Sequence, residues 1–348
     1  MPGSMIHLLM AHKIKPEGST LFYAGNLAPD AVTNREDKDI THFRDMHDRS
    51  EALAALALQT PPSDDFAEGV LLHLYTDWRW DILARDEFIK TAGGDWFPEY
   101  RKEISLASWY AFHHTDWANG LWERMDRCEA SEYGKIPGAT AEEFEDFICR
   151  NKKWHMENDS GPSTVFTPEF IEEFIHKIAQ EYTQWKILQE ISYYNALPVV
   201  FDGFIDIPEL ADGEIELACI AKKSAVPEKK WVPAYVFEIR RDSVCVGSIN
   251  LRIGYTEGLY YGGQIGYGVD EQHRGRGYAE KACRLLVPVI RAHGMKRALI
   301  TNNPANTASR RTCEKLGAKL IRTAPLPGWH DLYKEGRRFE NIFEWRVD

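Results

Sequence analysis

Residues 270–282 read DEQHRGRGYAEKA: two glycines one residue apart, flanked by arginines and followed by an alanine-containing run. The preceding YYGGQIGYGV, residues 260–269, has the aromatic and β-branched content of a strand. A strand, a short Gly/Arg turn and then a helix form an order suited to binding an anion. The first turn of a helix leaves its backbone N–H groups unpaired and presents the positive end of the helix dipole, and glycines let a phosphate approach that backbone closely. The stretch therefore predicts a phosphate-gripping helix start.

Outward from it toward the C-terminus, KRALITNN reads as a strand, NTASRRTCEKLG as a helix stopped by Gly317, and KLIRTAPL and ENIFEWRV as closing strands. A single helix is expected from about Gly277 to His293. Upstream, EIELACIA, WVPAYVFEIRR, DSVCVGSINLRIGY and LYYGGQIGYGV are strand-like, so residues 213–348 predict an α+β domain with a largely antiparallel sheet. Residues 1–195 carry a different pattern. SEALAALALQT, DDFAEGVLLHLYTDWRWDILARDEFI, PEYRKEISLASWYAFHHTDWANGLWERM, TAEEFEDFICRNKKWHMEN and TPEFIEEFIHKIAQEYTQWKILQEI space apolar residues three and four apart. Cap-like residues open several of them, at Ser63-Asp64-Asp65, Thr140 and Thr167. The Pro/Gly-punctuated NALPVVFDGFIDIPELADG ends this pattern. The chain thus reads as multidomain: an all-α domain over 1–195, a linker over 196–212, and a mixed α+β domain over 213–348.

A chain of 348 residues, 44% hydrophobic and 27% charged, is that of a folded protein long enough for two cores. Its longest apolar runs, LLMA and LLVPVI, fall far short of the ~20 residues of a membrane span, and MPGSMIHLLMAHKIKPEG lacks a basic leader. Six scattered cysteines without a CxxC pair suit a reducing, cytoplasmic setting. The net charge of −11 divides unevenly: residues 212–348 hold 23 basic and 16 acidic side chains, the remainder 19 and 37. The acidic part disfavours nucleic acid as a partner, while the basic part suits a phosphorylated cofactor.

The order strand, Gln272-His273-Arg274-Gly275-Arg276-Gly277, helix, strand, Asn306 and Ser309 on a second helix, then Leu316-Gly317-Ala318, resembles the GNAT superfamily of acyl-CoA-dependent N-acyltransferases. The resemblance spans roughly residues 213–346. It implies acetyl-CoA as donor and an amine on a small molecule or a protein as acceptor. The pyrophosphate would be wrapped by backbone amides from Arg274 through Tyr278 to Ala279, with Gln272 opening the turn. The IGYGV strand would splay from its neighbour to admit the pantetheine arm, and the Val269 N–H would polarise the thioester carbonyl. Asn306 either bonds the pantetheine or caps its helix. Where many members carry a tyrosine acid, this chain has Cys313. Tyr267, with Tyr260 and Tyr261, offers a replacement hydroxyl, and Glu271 and Glu257 are candidate bases.

Nine of the twelve histidines fall within residues 1–195. His73 and Asp77, four apart on a helical pattern, project from one face and suit a divalent ion. An early His7-Leu8, then GNLAPD with Asp30, THF with His42 and HLYTDW resemble the zinc-dependent phospholipase C family, an all-helical fold. The resemblance implies His7, Asp30, His42, His73 and Asp77 as zinc ligands. The family's later His and Glu pair has no counterpart, and His113, His114 and Asp116 of FHHTDW stand as substitutes. The leading function is an acetyltransferase fused to a metal-binding helical domain. The alternatives are an acyl-CoA sensor without turnover and a metal-dependent hydrolase with acetylation secondary.

Overall fold

The computed structural model describes residues 1–128 and 140–347 and divides into two compact units, Met1–Glu190 and Ile191–Asp348. Among the described residues, no helix is long and apolar enough to cross a membrane.

The first unit is helical. α1 (Ser4–Ile14), α2 (Thr20–Leu27), α3 (Arg35–Thr41), α4 (Arg49–Gln59) and α5 (Asp65–Trp80) build the region that holds most of its histidines. Asp64 caps α5 by accepting from the Ala67 N–H. The helix expected to run on past Trp80 is interrupted by a wide π turn, Asp81–Arg85, before α6 (Asp86–Ala92). Likewise, the long pattern around FHHTDW is two helices, α7 (Phe97–His113) and α8 (Ala118–Asp126), because consecutive His, Thr and Asp give the backbone little helical preference there. α9 (Ala141–Met156) opens on a reciprocal capping box between Thr140 and Glu143, and α10 (Pro168–Asn195) follows.

One contact fixes the geometry that matters here. α2 and α5 meet backbone to backbone at Gly25 and Gly69: a Cβ on Gly25 would lie 2.0 Å from the Phe66 carbonyl oxygen, and one on Gly69 2.1 Å from that of Phe22. Only two bare backbones fit this approach, and it carries Asn26, at the end of α2, against His73 on α5.

The second unit is a seven-stranded sheet of order β1-β2-β3-β4-β5-β7-β6, with β1 (Glu216–Lys223), β2 (Ala234–Arg241), β3 (Val244–Arg252), β4 (Ile265–Val269), β5 (Arg297–Asn302), β6 (Lys319–Pro325) and β7 (Phe339–Arg346). Every pairing is antiparallel except β4 with β5. Two elements differ from expectation. Residues expected to begin the β4 strand form a short helix, α11 (Glu257–Gly262), capped by Thr256, so the strand starts only at Ile265. The helix expected to reach His293 is broken at Leu286 into α12 (Tyr278–Leu285) and α13 (Val287–Ala292), where Pro288 removes a helical N–H. α14 (Thr307–Leu316) ends on Gly317 at φ 75°. The stretch 196–212 packs on this sheet: Phe201, Phe204 and Ile207 join its core, and the Ile205 N–H donates to the Tyr235 hydroxyl at 2.9 Å. Its prolines and glycines punctuate the chain, but its apolar side chains still find a surface to cover.

Candidate functional site

Between β4 and β5 the sheet opens. Their ladder consists of a single parallel pair, Ile265 with Ile300, whereas β4 pairs with β3 along its whole length. The Arg252 N–H donates to Gln264 and the Asp270 N–H to Val246, which sets the alternation on the β3 side. Tyr267 and Val269 consequently turn their own backbone groups away from β3, toward the opening. The Val269 N–H is one of these groups. Gly266 and Gly268 leave this part of β4 without side-chain bulk.

At the end of β4, Glu271–His273 form one 3-10 turn, with Glu271 and Gln272 exposed. The Arg274 N–H is partly used, donating to Glu271 at 3.3 Å, so the open fan of amides starts at Gly275 rather than at Arg274. Gly275 and Gly277 have φ of 78° and 80°, and a Cβ on either would meet nothing within 4 Å. Gly277 is the N-cap of α12, and no side chain caps that helix. The first-turn amides, Tyr278 and Ala279 included, thus have no side-chain cap. Tyr278 is itself buried, and its hydroxyl accepts from Arg241 at 2.8 Å, which anchors the turn. The exposed Arg276 guanidinium makes no hydrogen bond or ion pair among the described residues and is available to an anion. Arg274 instead donates through Nε to the Val269 carbonyl at 3.1 Å.

A tyrosine hydroxyl from β4 reaches α14. Tyr267 lies 3.0 Å from Ser309 Oγ on α14, and burial, followed by the neighbouring Cys313, raises its phenol well above the ordinary range. Cys313 is fully buried, its thiol pushed up to about 12 by burial, and its sulfur accepts from Asn302 Nδ2 at 3.7 Å. A thiol so held is a packed, protonated group. Asn306 caps α14, accepting from the Ser309 N–H at 3.0 Å, so its carbonyl oxygen is committed while its Nδ2 stays available. The sequence offered no signal for the buried Asn302, which lies in the apolar strand β5 and accepts from Asn341 at 3.0 Å.

In the helical unit all five expected ligands converge. His42 Nε2 lies 3.2 Å from His73 Nε2, 3.5 Å from Asp77 Oδ2 and 3.7 Å from Asp30 Oδ1; His7 Nε2 lies 3.2 Å from Asp77 Oδ1. The His7 and His73 rings stack at 3.9 Å. His73 Nδ1–H donates to the Asn26 carbonyl at 2.7 Å and His42 Nδ1–H to the Lys38 carbonyl at 2.8 Å. With Nδ1 of each ring on a carbonyl, the two Nε2 atoms face one another, with two carboxylates beside them. His73 is pushed down to about 3, first by burial and then by His7, so it is neutral at ordinary pH. Burial alone would raise the Asp77 carboxyl, but the His7 contact and the surrounding imidazoles hold it below its usual range. Both Asp77 oxygens and both His7 nitrogens are buried without a hydrogen bond, and Asp30 Oδ1 is held by Lys38 Nζ at 2.9 Å. Converging nitrogen and carboxylate donors, with Nδ1 of His42 and of His73 on carbonyls, are a set that a divalent cation can take, so the residues fit a zinc-class ion. Two groups of three, His7-Asp30-His73 and His42-His73-Asp77, each bring ligand atoms within 4.8 Å of one another.

The histidines expected to complete this set do not join it. His113 and His114 end α7 with their ring nitrogens on carbonyls, His113 on His155 and Asn158, His114 on Tyr110. His155 is a satisfied core residue: Nδ1–H donates to Asn151 at 2.7 Å and Nε2 accepts from Ser108 at 2.8 Å. Burial pushes it down to about 4 from 6.5. Between those values the unfolded chain binds the extra proton, so stability falls as pH drops through this window, by roughly 3 kcal/mol at its lower end. Urea titrations at pH 7 and pH 4.5 should show that loss in the helical unit, and His155→Asn should reduce it.

Comparison with known proteins bears on the second unit. A family model described as an acetyltransferase (GNAT) domain matches residues 206–319. The microcin C7 self-immunity acetyltransferase MccE, solved with acetyl-CoA and AMP, is similar at 19% identity over 32% of this chain and 61% of its own, with a TM-score of 0.26. RimL, a ribosomal L7/L12 alpha-N-protein acetyltransferase solved with coenzyme A, is similar at 14% identity over 40% of this chain and 99% of its own, with a TM-score of 0.31. No curated protein matches. The C-terminal unit carries a GNAT acetyltransferase domain, and residues 1–205 lie outside that match.

Proposed function

We propose that the C-terminal unit transfers an acetyl group from acetyl-CoA to an amine on a small molecule or a protein. The observation that carries this reading is the single-pair opening between β4 and β5 beside uncapped amides at Gly275–Ala279. In this reading the amides and Arg276 hold the diphosphate, and Asn306 Nδ2 and Ser309 border the pantetheine. The thioester supplies the activated acetyl group. Val269 N–H polarises its carbonyl, and the proton shed by the amine passes to water or to a carboxylate such as Glu271. Tyr267 takes the acid role: its phenol stays protonated and reaches α14, where Cys313 replaces the family's tyrosine. Thermal unfolding with and without acetyl-CoA tests the cofactor, and absence of any shift would refute the reading. With an amine panel that includes peptide N-termini, Tyr267→Phe should lower kcat about 100-fold, a usual share for a positioned acid, with KM for acetyl-CoA within about twofold. Cys313→Ser should stay within about threefold.

A second reading belongs to the helical unit. His7, Asp30, His42, His73 and Asp77 hold a divalent metal, zinc by donor type, supported by the facing Nε2 atoms at 3.2 Å. A bound ion supplies Lewis-acid polarisation of an oxygen on a substrate, and metal-dependent hydrolysis follows from this reading.

A further inference from the structure

Beside the histidine–aspartate cluster the helical unit holds a cavity of about 760 Å³ whose charge runs against its surroundings. Residues 1–190 carry 19 basic and 34 acidic side chains, yet the walls of this cavity present five cations, from Arg35, Lys38, Arg44, Arg85 and Arg101, against Asp39 and Asp45. Two of the lining cations touch the cluster: Lys38 Nζ is 2.9 Å from Asp30 Oδ1, and Arg44 Nη2 is 3.9 Å from Asp77 Oδ2. Arg85 is braced between Asp81 and Asp86 at 2.9 Å each. Arg101 is exposed, and among the described residues its guanidinium makes no hydrogen bond or ion pair. The opposite character lines one side, where Trp96, half-buried, and Phe97, 55% exposed, present apolar rings.

We propose that this cavity binds an organic phosphate monoester, its dianionic phosphate among Arg44, Arg85 and Arg101 and its apolar group on Trp96 and Phe97. Guanidinium forks match phosphate oxygens bidentately, and a cluster of them suits a dianion better than the single charge of a diester. Aromatic rings take the apolar portion, in the usual division of a small-molecule site. The inference deepens the metal reading, since the phosphate would lie over the ligand cluster, but the cationic walls do not depend on a bound ion.

The test is calorimetric titration of the full chain with phenyl phosphate, methyl phenyl phosphate and inorganic phosphate, metal-free and with one equivalent of zinc. Gly277→Val serves as the background, so that the anion turn of the other unit does not contribute. Phenyl phosphate should bind the metal-free protein at least fivefold more tightly than either other probe. Arg101→Gln, at an exposed and unpaired position, should weaken it at least fivefold, and Arg101→Gln with Arg44→Gln at least thirtyfold. Binding indifferent to Arg101, or equal for monoester and diester, overturns the proposal. Binding that appears only with zinc and ignores Arg101 overturns it too, while leaving the metal reading intact. Arg101-dependent binding by a chain that takes up no zinc upholds the cavity and removes the metal.

Discussion

Gly277→Val is expected to weaken acetyl-CoA binding by about 100-fold or more while leaving the fold in place. The position has φ 80°, where a β-branched residue adds about 1–2 kcal/mol of backbone strain. No protein atom lies within 4 Å of the site a Cβ would occupy, so the new side chain meets open space and not a wall. That space is the approach to the uncapped first turn of α12, and the two methyl groups would hold a phosphate away from the amides meant to grip it. Isothermal titration with acetyl-CoA reads the affinity. The unfolding midpoint of the free protein reads the strain and should drop by only a few degrees. Retained affinity in this variant would mean that the diphosphate is held elsewhere, and the transferase assignment of the turn would fall with it.

The second large effect concerns the helical unit. Zinc added to metal-free protein should raise its stability by about 4 kcal/mol when the free ion stands a thousandfold above its dissociation constant, and Asp77→Asn should abolish that gain. Among the described residues Asp77 is the one carboxylate within 4 Å of His7, His42 and His73 alike, so the amide removes the charge common to the whole set. His155→Asn is the control, because that buried histidine is fully hydrogen-bonded outside the cluster and its loss should leave the zinc response unchanged. Thermal unfolding with zinc and with chelator, together with metal content by mass spectrometry, makes the measurement. A wild-type protein indifferent to both would overturn the metal reading.

Some of this was legible along the chain because the physics involved is local. Glycines at 275 and 277 announce left-handed backbone, Asp64, Thr140 and Thr167 announce caps, and His73 with Asp77 share a helical face whatever the fold. The switch from helical to strand spacing near residue 200 separates the two patterns for the same reason. Other features resisted. The residues of α11 look like strand because their tyrosines suit a sheet, and only the Thr256 cap and the neighbouring β5 backbone commit them to a helical turn. Pro288 was visible, but its effect of splitting α12 from α13 was not anticipated.

The sequence alone therefore settled where the left-handed glycine turn before α12 lies and which types of donor recur among the helices, since capping, glycine conformation and helical periodicity act within a few residues. Tertiary structure decided the rest. It set the Tyr267 hydroxyl against Ser309 of α14, kept His113 and His114 out of the histidine cluster, brought Asn26 to His73 through the glycine contact of α2 with α5, and faced the His42 and His73 Nε2 atoms at 3.2 Å. It also gathered five cations around one cavity of an acidic unit. Each of these joins residues tens of positions apart, and distance in space is set by packing, which no local rule of the chain encodes.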